Sequence, residues 1–326
     1  MMVLRTVACL ILAGGGVAVV GGSERAPGWV LGGLVMATWP LARAWRAAVG
    51  TGLRAAVAWG GLAVVLGVVA QGVGLGEPGT GGRPGSGHWA YLSALATLAA
   101  LISVFNARRP GGGAWALLMA MLVLVFLIPW LEGPSPSGIG RRGRLRLEAP
   151  WSWFFGALAV VGTTNYLPTR YGPAACWLAS GLVLEWAALA WPDGLLGRRG
   201  IAWSAFPWCL AVAAWTAEIR ADGSPRGATG LERLWLAFRD HWGVVWALRV
   251  EERFNRSAEA AGWPIRLAWT GTNPALASDA GAAADPPEAA EATLKGLLRR
   301  FAAQERIAAW AAGGVDADPC QAGEVP

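Results

Sequence analysis

The sequence is poor in charged and metal-binding side chains. Only 15% of its 326 residues are charged, whereas a soluble domain usually has about 25%. It contains one lysine, Lys295, two histidines, His88 and His241, and four cysteines without a CxxC spacing. These shortages argue against a disulfide framework and exclude most histidine-rich metal sites. No motif typical of a nucleotide or another cofactor is present, and we expect no cofactor.

Positive charge is spread between apolar runs and is not gathered in one domain. Residues 1–216 contain 15 arginines and 6 acidic residues, whereas residues 217–326 contain 12 basic and 15 acidic residues. Nucleic-acid binding requires clustered positive charge, and the only part that resembles a soluble domain is slightly acidic. We therefore expect no nucleic-acid partner.

Long apolar runs fill the first two-thirds of the chain. A helix needs about 20 apolar residues to cross a bilayer, and a backbone inside lipid must be helical to satisfy its hydrogen-bonding groups. The runs predict an all-α polytopic integral membrane protein with about eight transmembrane helices and the lipid bilayer as its partner. The predicted spans are Thr6–Gly22, Gly28–Ala48, Ala55–Leu75, Trp89–Asn106, Ala114–Leu131, Trp151–Leu167, Ala174–Trp191 and Ile201–Ile219.

Tryptophan is abundant, with 21 residues, and many stand near the ends of these runs. Indole is apolar with one polar N–H, so it prefers the headgroup level of a membrane. The pattern indicates an aromatic belt, with ligand stacking by a few rings as the alternative. The first run also has the form of a secretory signal peptide, but seven runs follow it, so we expect an uncleaved helix.

The predicted location is the plasma (inner) membrane of a bacterium, because the Ala, Gly and Arg bias is typical of a GC-rich genome. Eight spans would place ten arginines on the face that carries both termini and eight on the other face. The positive-inside rule then favours a cytoplasmic tail. The arginine-rich loop between the fifth and sixth spans points the other way.

The predicted membrane domain covers residues 1–219, and the rest forms a small tail. We expect a soluble or membrane-surface helical segment at 220–270, a flexible linker at 271–287, a second amphipathic helix at 288–312 and a disordered end at 313–326. Thr229 and Glu232 form a capping-box pattern at the start of the first tail helix. The alternation of Ile265, Leu267 and Trp269 indicates a short strand.

The first tail helix carries an aromatic face formed by Trp235, Phe238, Trp242 and Trp246, which recur at three- to four-residue spacing. The face has two interpretations. It packs against the membrane domain or the membrane surface, or it is a docking face for a partner protein.

Glu185 is the only acidic residue well inside a predicted span. An ionisable group there costs about 2.5–3.5 kcal/mol on insertion scales and is a candidate functional residue. Ser204 and Trp208 stand at a similar depth on the next helix, so the three form a candidate intramembrane polar site. The site either binds a proton or cation, or it is structural, with the Glu185 carboxylate hydrogen-bonded to Ser204 or Trp208 or extended towards arginine at the membrane surface.

Two polar groups near helix ends have structural interpretations. Thr163, Thr164 and Asn165 close the sixth span, where such side chains usually satisfy the free backbone groups of a helix end, with the lining of a water-filled vestibule as the alternative. Asp240 and His241 are adjacent in the tail helix and are interpreted as surface or packing residues.

Three function classes are compatible with these patterns. The leading one is a non-enzymatic scaffold or assembly component. The second is a transporter or permease that uses Glu185. The third is a membrane-embedded transferase for a lipid-linked substrate, with a candidate anion-binding loop after the fifth span. That loop contains Arg141, Arg142, Arg144 and Arg146.

Overall fold

The computed structural model describes residues 2–21, 26–75, 84–106, 113–132, 145–192, 194, 201–221, 229–274 and 288–313. Within these ranges the chain forms eleven α-helices and one two-stranded hairpin. The first eight helices are α1 (Met2–Val20), α2 (Ala26–Ala47), α3 (Arg54–Leu75), α4 (Pro84–Ser103), α5 (Gly113–Glu132), α6 (Ala149–Thr164), α7 (Gly172–Ala190) and α8 (Ile201–Ala221).

Every apolar run that was predicted to span the membrane is helical, and the all-α class is confirmed. The largest difference is at the start of α4, which begins at Pro84 and not at Trp89. Proline is well tolerated in the first turn of a helix, so it extends α4 at little cost. The same helix ends in a short 3-10 turn at Val104–Asn106.

Three helices are long and apolar enough to cross a membrane, namely Arg54–Val73, Gly87–Asn106 and Gly172–Ala190. Two further apolar stretches, Leu4–Val20 and Met119–Leu131, are shorter. These results refer to the part of the chain that the structure describes. They support membrane association through three helices and do not confirm all eight predicted spans.

The first eight helices pack mainly as neighbours, α3 against α4, α7 against α8, and α2 against both α3 and α8. The glycine run of α1 permits a close approach by α8. A Cβ atom at Gly16 would lie 2.9 Å from the Trp208 ring, and Trp208 Nε1 donates a hydrogen bond to the Leu12 carbonyl at 3.0 Å. Small residues in α1 therefore allow close helix packing.

The tail contains α9 (Gly230–Ala260), β1 (Ile265–Ala268), β2 (Gly271–Pro274), α10 (Glu288–Leu298) and α11 (Gln304–Ala311). The expected capping box is present at Thr229, whose side chain accepts a bond from the Glu232 backbone N–H at 3.2 Å. Glu232 Oε1 also accepts a bond from the Thr272 hydroxyl at 2.6 Å. The Glu232 carboxylate therefore both caps the start of α9, by accepting from the Thr229 N–H, and connects β2 to that helix.

Two predicted tail boundaries differ from the structure. Residues 271–274 belong to a strand paired with β1 and not to a linker, while residues 275–287 and 314–326 lie outside the described residues. The expected single helix at 288–312 is divided into α10 and α11. Between them the Ala303 N–H donates to the Gly50 carbonyl at 2.7 Å, and the Gly52 N–H donates to the Phe301 carbonyl at 2.9 Å. These long-range backbone bonds replace the helical ones.

The tail lies against loops two, four and six, which follow α2, α4 and α6. Gly50 and Gly52 belong to loop two. At the start of loop four, Trp246 Nε1 donates to the Val104 carbonyl at 3.2 Å. In loop six, the Pro168 carbonyl accepts from Trp269 Nε1 at 3.0 Å. Three loops that alternate along the chain therefore meet one structure at the same end of the bundle.

The most specific contact is made where α9 is interrupted. Gly243 has φ +73° and breaks the regular helix. Loop six supplies Asn165 at this break, where its carbonyl accepts from the Val244 N–H at 2.9 Å. Its side chain accepts from the Val245 N–H at 3.1 Å and donates to the Trp242 carbonyl at 3.2 Å. Asn165 thus satisfies backbone groups of α9, although it was expected to satisfy the end of its own helix.

We predict that Gly243→Ala destabilises the protein more than Gly262→Ala does. Both glycines have positive φ, +73° and +68°, so alanine is strained by about 1 kcal/mol or more at either position. The ψ of −171° at Gly243 adds to the difference, because this combination of φ and ψ is adopted almost only by glycine. A Cβ at Gly243 would also clash with Asn165, whereas nothing lies within 4 Å of one at Gly262. Repacking costs of this kind are about 1–3 kcal/mol. Thermal unfolding of both variants in detergent measures the difference, and equal midpoints would contradict the Asn165 junction.

Candidate functional site

Glu185, Ser204 and Trp208, the predicted intramembrane polar site, do not form hydrogen bonds with one another among the described residues. Ser204 donates to Gln71 Oε1 at 3.3 Å, and Trp208 bonds to α1. Glu185 is fully buried, and neither of its carboxylate oxygens has a hydrogen-bond partner among the described residues. The expected structural bonds from Ser204 and Trp208 to Glu185 are therefore wrong, because both donors are used by other helices.

The candidate anion-binding loop is only partly within the described residues. Arg141, Arg142 and Arg144 lie outside them, whereas Arg146 is exposed. Its neighbours Leu145 and Leu147 are buried, and the Leu147 N–H donates to the Leu189 carbonyl at 3.0 Å. This end of loop five therefore folds over the last turn of α7, one turn beyond Glu185.

The aromatic face of α9 is covered by the chain itself. Trp235, Phe238 and Trp242 are completely buried, and Trp246 is 7% exposed. Phe301, between α10 and α11, makes ring contacts with Phe238, Trp242 and Trp246 at centroid distances of 4.9–5.8 Å. The face packs mainly against the rest of the tail, so a partner protein would have to use another surface in this conformation.

A cavity of about 380 Å³ lies where the helices meet the tail. Helices α2, α3, α4, α7 and α8 form its walls, and α9 and α11 close its end. The walls are apolar and include Leu41, Val57, Leu101, Leu178 and Leu210. Ligand sites are typically concave, mostly apolar and about 300–1,000 Å³ in volume, with a few polar groups that fix the ligand. This cavity has those properties.

The cavity reaches well into the bundle. Leu178 lies six residues after the start of α7, and Leu210 lies eleven residues before the end of α8. At the helical rise these positions are about 9 and 16 Å from the tail-side ends of their helices. One leaflet of a hydrocarbon core is about 15 Å thick. The apolar part of the cavity therefore extends to roughly the depth of one leaflet.

Polar groups gather at the tail-side end of the cavity. Arg43 on α2 forms an ion pair with Glu218 on α8, and both line the cavity together with Asp240 of the tail. Asp240 Oδ1 accepts from Arg239 Nη2 at 2.7 Å, and Asp240 Oδ2 lies 3.4 Å from Arg170 Nε. Buried carboxylates are stable when paired in this way.

His241 lines the same end and is a neutral imidazole at physiological pH. Its pKa is lowered from 6.5 to about 4, first by burial and then by the positive charge of Arg170, while Asp240 opposes the shift. Its Nδ1 lies 2.7 Å from the Ala237 carbonyl oxygen, so the ring proton is on Nδ1 and Nε2 is an acceptor. Tyr171 and Trp310 make ring contacts with the imidazole.

Sequence patterns did not join these polar residues into one site. Arg43 and Glu218 were not among the candidate residues, and His241 was interpreted as a surface or packing residue. The ion pair joins residues 175 positions apart. One usable signal was that the predicted eight-span topology puts Arg43 and Glu218 on the same side, each near a helix end, where opposite charges can pair.

Comparison with family models, with curated proteins and with solved structures gave no match. Among the described residues, no group of three or more His, Cys, Asp or Glu side chains could hold a metal ion. The geometry of the cavity is therefore the basis for any proposal about function.

We predict that His241 stays neutral down to about pH 5. Because the folded-state pKa is depressed, unfolded chains bind the proton first, and the free energy of unfolding falls as the pH drops from 6.5 towards 4. The slope is about 1.4 kcal/mol per pH unit. Histidine-labelled protein gives only two imidazole NMR signals, and His88→Gln assigns them. A His241 midpoint near 6.5 would contradict the burial and charge described above.

Proposed function

We propose that this chain is a bacterial inner-membrane protein with eight spanning helices that binds one amphiphilic molecule, a membrane lipid, in the cavity beneath its tail. The observation that carries the proposal is the cavity itself, with apolar walls of about leaflet depth and a charged end at the tail. We assign no catalytic group, in keeping with the non-enzymatic role predicted from the sequence.

The positions of the loops support eight spans. Loops two, four and six meet the tail at one end, whereas loop five packs near the other end of α7. An alternating path of eight helices places the loops in this way. Large apolar side chains are also exposed on helices other than the three that are long and apolar enough to cross a membrane, for example Val17 at 78%, Leu131 at 65% and Val160 at 60%. Lipid contact would explain these side chains.

The arginines support a cytoplasmic tail. Arg54 begins α3 at the tail side, Arg170 lies in loop six, and the cavity end holds Arg43. Positive residues near span ends favour the cytoplasmic side. The four arginines of loop five, three of which lie outside the described residues, favour the opposite orientation.

We predict that Gly60→Leu removes lipid binding and that Gly61→Leu does not. Gly60 lines the cavity, where a leucine side chain would occupy the space of the ligand. Gly61 is its neighbour on α3, and a Cβ there meets nothing within 4 Å. The two variants have the same helix propensity change and the same added apolar surface, so they are matched.

Native mass spectrometry of the purified protein in detergent reads out retained lipid. We expect the wild type and Gly61→Leu to retain one lipid, and Gly60→Leu to lose at least about tenfold in affinity, equivalent to 1.4 kcal/mol. Equal retention by both variants would overturn the assignment of the cavity as the lipid site.

A second candidate function is proton-coupled transport through Glu185. It is favoured by the complete burial of this carboxyl group without a hydrogen-bond partner in the described part of the chain. Buried ionisable groups in spans are rare and often take part in proton or ion movement. In this hypothesis Glu185 carries the proton, and Gln71 and Ser204 form a polar pair between α3 and α8.

Proton flux into proteoliposomes that contain a pH-sensitive dye tests the second candidate. If it is correct, a pH gradient drives flux through the wild type and through Glu148→Gln, an exposed control, but not through Glu185→Gln. The absence of flux above empty liposomes would reject transport. A Glu185→Gln variant that no longer inserts would indicate a structural role.

The scaffold and transferase hypotheses are compatible with the cavity in different ways. A scaffold would use the bound lipid as a structural component, and its partner would contact a surface other than the buried aromatic face of α9. A transferase would use the cavity for a lipid-linked substrate. Arg146, the described member of the candidate anion-binding loop, lies beside the last turn of α7, at the end away from the tail. This separation of Arg146 from the cavity makes the transferase the weaker hypothesis.

A further inference from the structure

We infer that a small cleft at the surface of the tail binds the phosphate group of an anionic membrane lipid. The cleft lies between α9 and the end of α10, and it shares no lining residue with the cavity beneath the tail. The inference goes beyond the proposed function, because it concerns a lipid at the membrane surface and needs no lipid inside the helix bundle.

The charged side chains that line the cleft are all arginines. Arg249 and Arg253 belong to α9, Arg300 follows α10, and no described carboxylate lines the cleft. All three arginines are exposed. None of their guanidinium groups forms an ion pair or a hydrogen bond with another described residue. Within the described part of the chain, these three positive charges are therefore not neutralised.

The carboxylates nearest to the cleft along α9 do not compensate this charge. Glu252 forms an ion pair with Arg256 at 2.7 Å. Glu251 follows Arg249 by two residues, and side chains at this spacing do not face each other on a helix. Arg249 and Arg253 are four residues apart, so they share one face. The two arginines therefore stand side by side on the face that lines the cleft.

The cleft lies where two candidate spans end. Trp246, one of its aromatic walls, donates from Nε1 to the Val104 carbonyl at 3.2 Å, two residues before the end of the candidate span in α4. The carbonyl of Phe301, the other aromatic wall, accepts from the Gly52 N–H at 2.9 Å, two residues before the candidate span in α3 begins. The ends of spanning helices lie beside the lipid headgroups. In a membrane crossed by α3 and α4, the cleft is therefore at headgroup level.

The ring of Trp246 positions the first guanidinium group. Arg249 Cζ lies 5.2 Å from the centroid of this ring, and the bond to Val104 fixes the indole in turn. A guanidinium that rests on an aromatic ring keeps its N–H groups available at its edge. These groups donate paired hydrogen bonds to phosphate oxygens. Arg300 approaches from the α10 side, so a phosphate in the cleft meets donors from two elements.

The size and position of the cleft favour a lipid phosphate. Its volume of about 50 Å³ is far below the 300–1,000 Å³ of sites that enclose a whole small molecule. A phosphate group therefore enters while the rest of the molecule stays outside. A membrane lipid satisfies this condition, because its acyl chains remain in the bilayer and its phosphate lies at the level of the cleft. Three arginines repel the cationic end of a zwitterionic headgroup, so a headgroup with net negative charge is preferred.

Competition between two lipids with the same acyl chains tests the inference. The full-length protein is exchanged into mixed micelles with equal amounts of dioleoyl phosphatidylglycerol and dioleoyl phosphatidylcholine, and native mass spectrometry measures which lipids stay bound. We expect the wild type to prefer the anionic lipid and to lose this preference as the salt concentration rises. Inorganic phosphate at the same concentration as the lipid should not displace it. The same measurement on Gly60→Leu, which fills the cavity, leaves the cleft as the site observed.

Single substitutions of exposed arginines separate the cleft from net charge. Arg253→Gln and Arg300→Gln should each lower the affinity for the anionic lipid about fivefold, which is the contribution of one arginine near a membrane surface. Arg300→Lys keeps the charge and should retain most of the affinity. Arg256→Gln is the matched control, because Arg256 is exposed on the same helix, does not line the cleft and is paired with Glu252. It should bind as the wild type does.

The outcomes distinguish this inference from the proposed function. An unchanged preference in Arg253→Gln and Arg300→Gln would overturn the inference, whatever the cavity binds. An equal loss in Arg256→Gln would also overturn it, since net charge alone would then set the preference. Displacement by inorganic phosphate would show that the cleft recognises a free anion and not a lipid. If Gly60→Leu loses no lipid but the cleft variants act as expected, the cavity proposal fails and the inference stands.

Discussion

The fold depends on hydrogen bonds between loop six and the backbone groups at the break in α9. Gly243 interrupts α9, and the backbone groups freed near the break bond to Asn165 of loop six. Unpaired buried backbone groups cost several kcal/mol away from water, so the break and the loop are stable only together. This mutual dependence fixes the tail on the helices at one position and explains why the hydrophobic tail core includes residues of loops two and four.

The position of the tail determines the site. Without the tail, the space between α2, α3, α4, α7 and α8 would be an open apolar cleft. The tail closes it with Asp240, His241 and Trp310, and it supplies the aspartate that binds Arg170. Helix ends contribute Arg43 and Glu218 to the same level. An amphiphile would therefore meet a charged end built jointly by both parts of the chain, and neither part holds the complete site.

The sequence predicted the helices well because long apolar runs and the Thr229 capping box are local signals. It also located the tail strand near Ile265. It did not predict the division of residues 288–312 into two helices, because the cause lies in backbone bonds to Gly50 and Gly52 in loop two. The cavity could not be predicted for the same reason, since Arg43 and Glu218 meet only when distant helices pack. Hydrophobic periodicity shows which face is buried but not which residues face each other.

Sidedness is the most direct test of the central claim that the tail seals the end of the bundle where loop six lies. Single cysteines at Pro168, Arg256 and Arg146, which are all exposed, can be placed in a variant without native cysteines and labelled in intact and permeabilised cells with a membrane-impermeant maleimide. The account predicts that Pro168→Cys and Arg256→Cys react from one side and Arg146→Cys from the other. Labelling of Pro168→Cys and Arg256→Cys from opposite sides would contradict it.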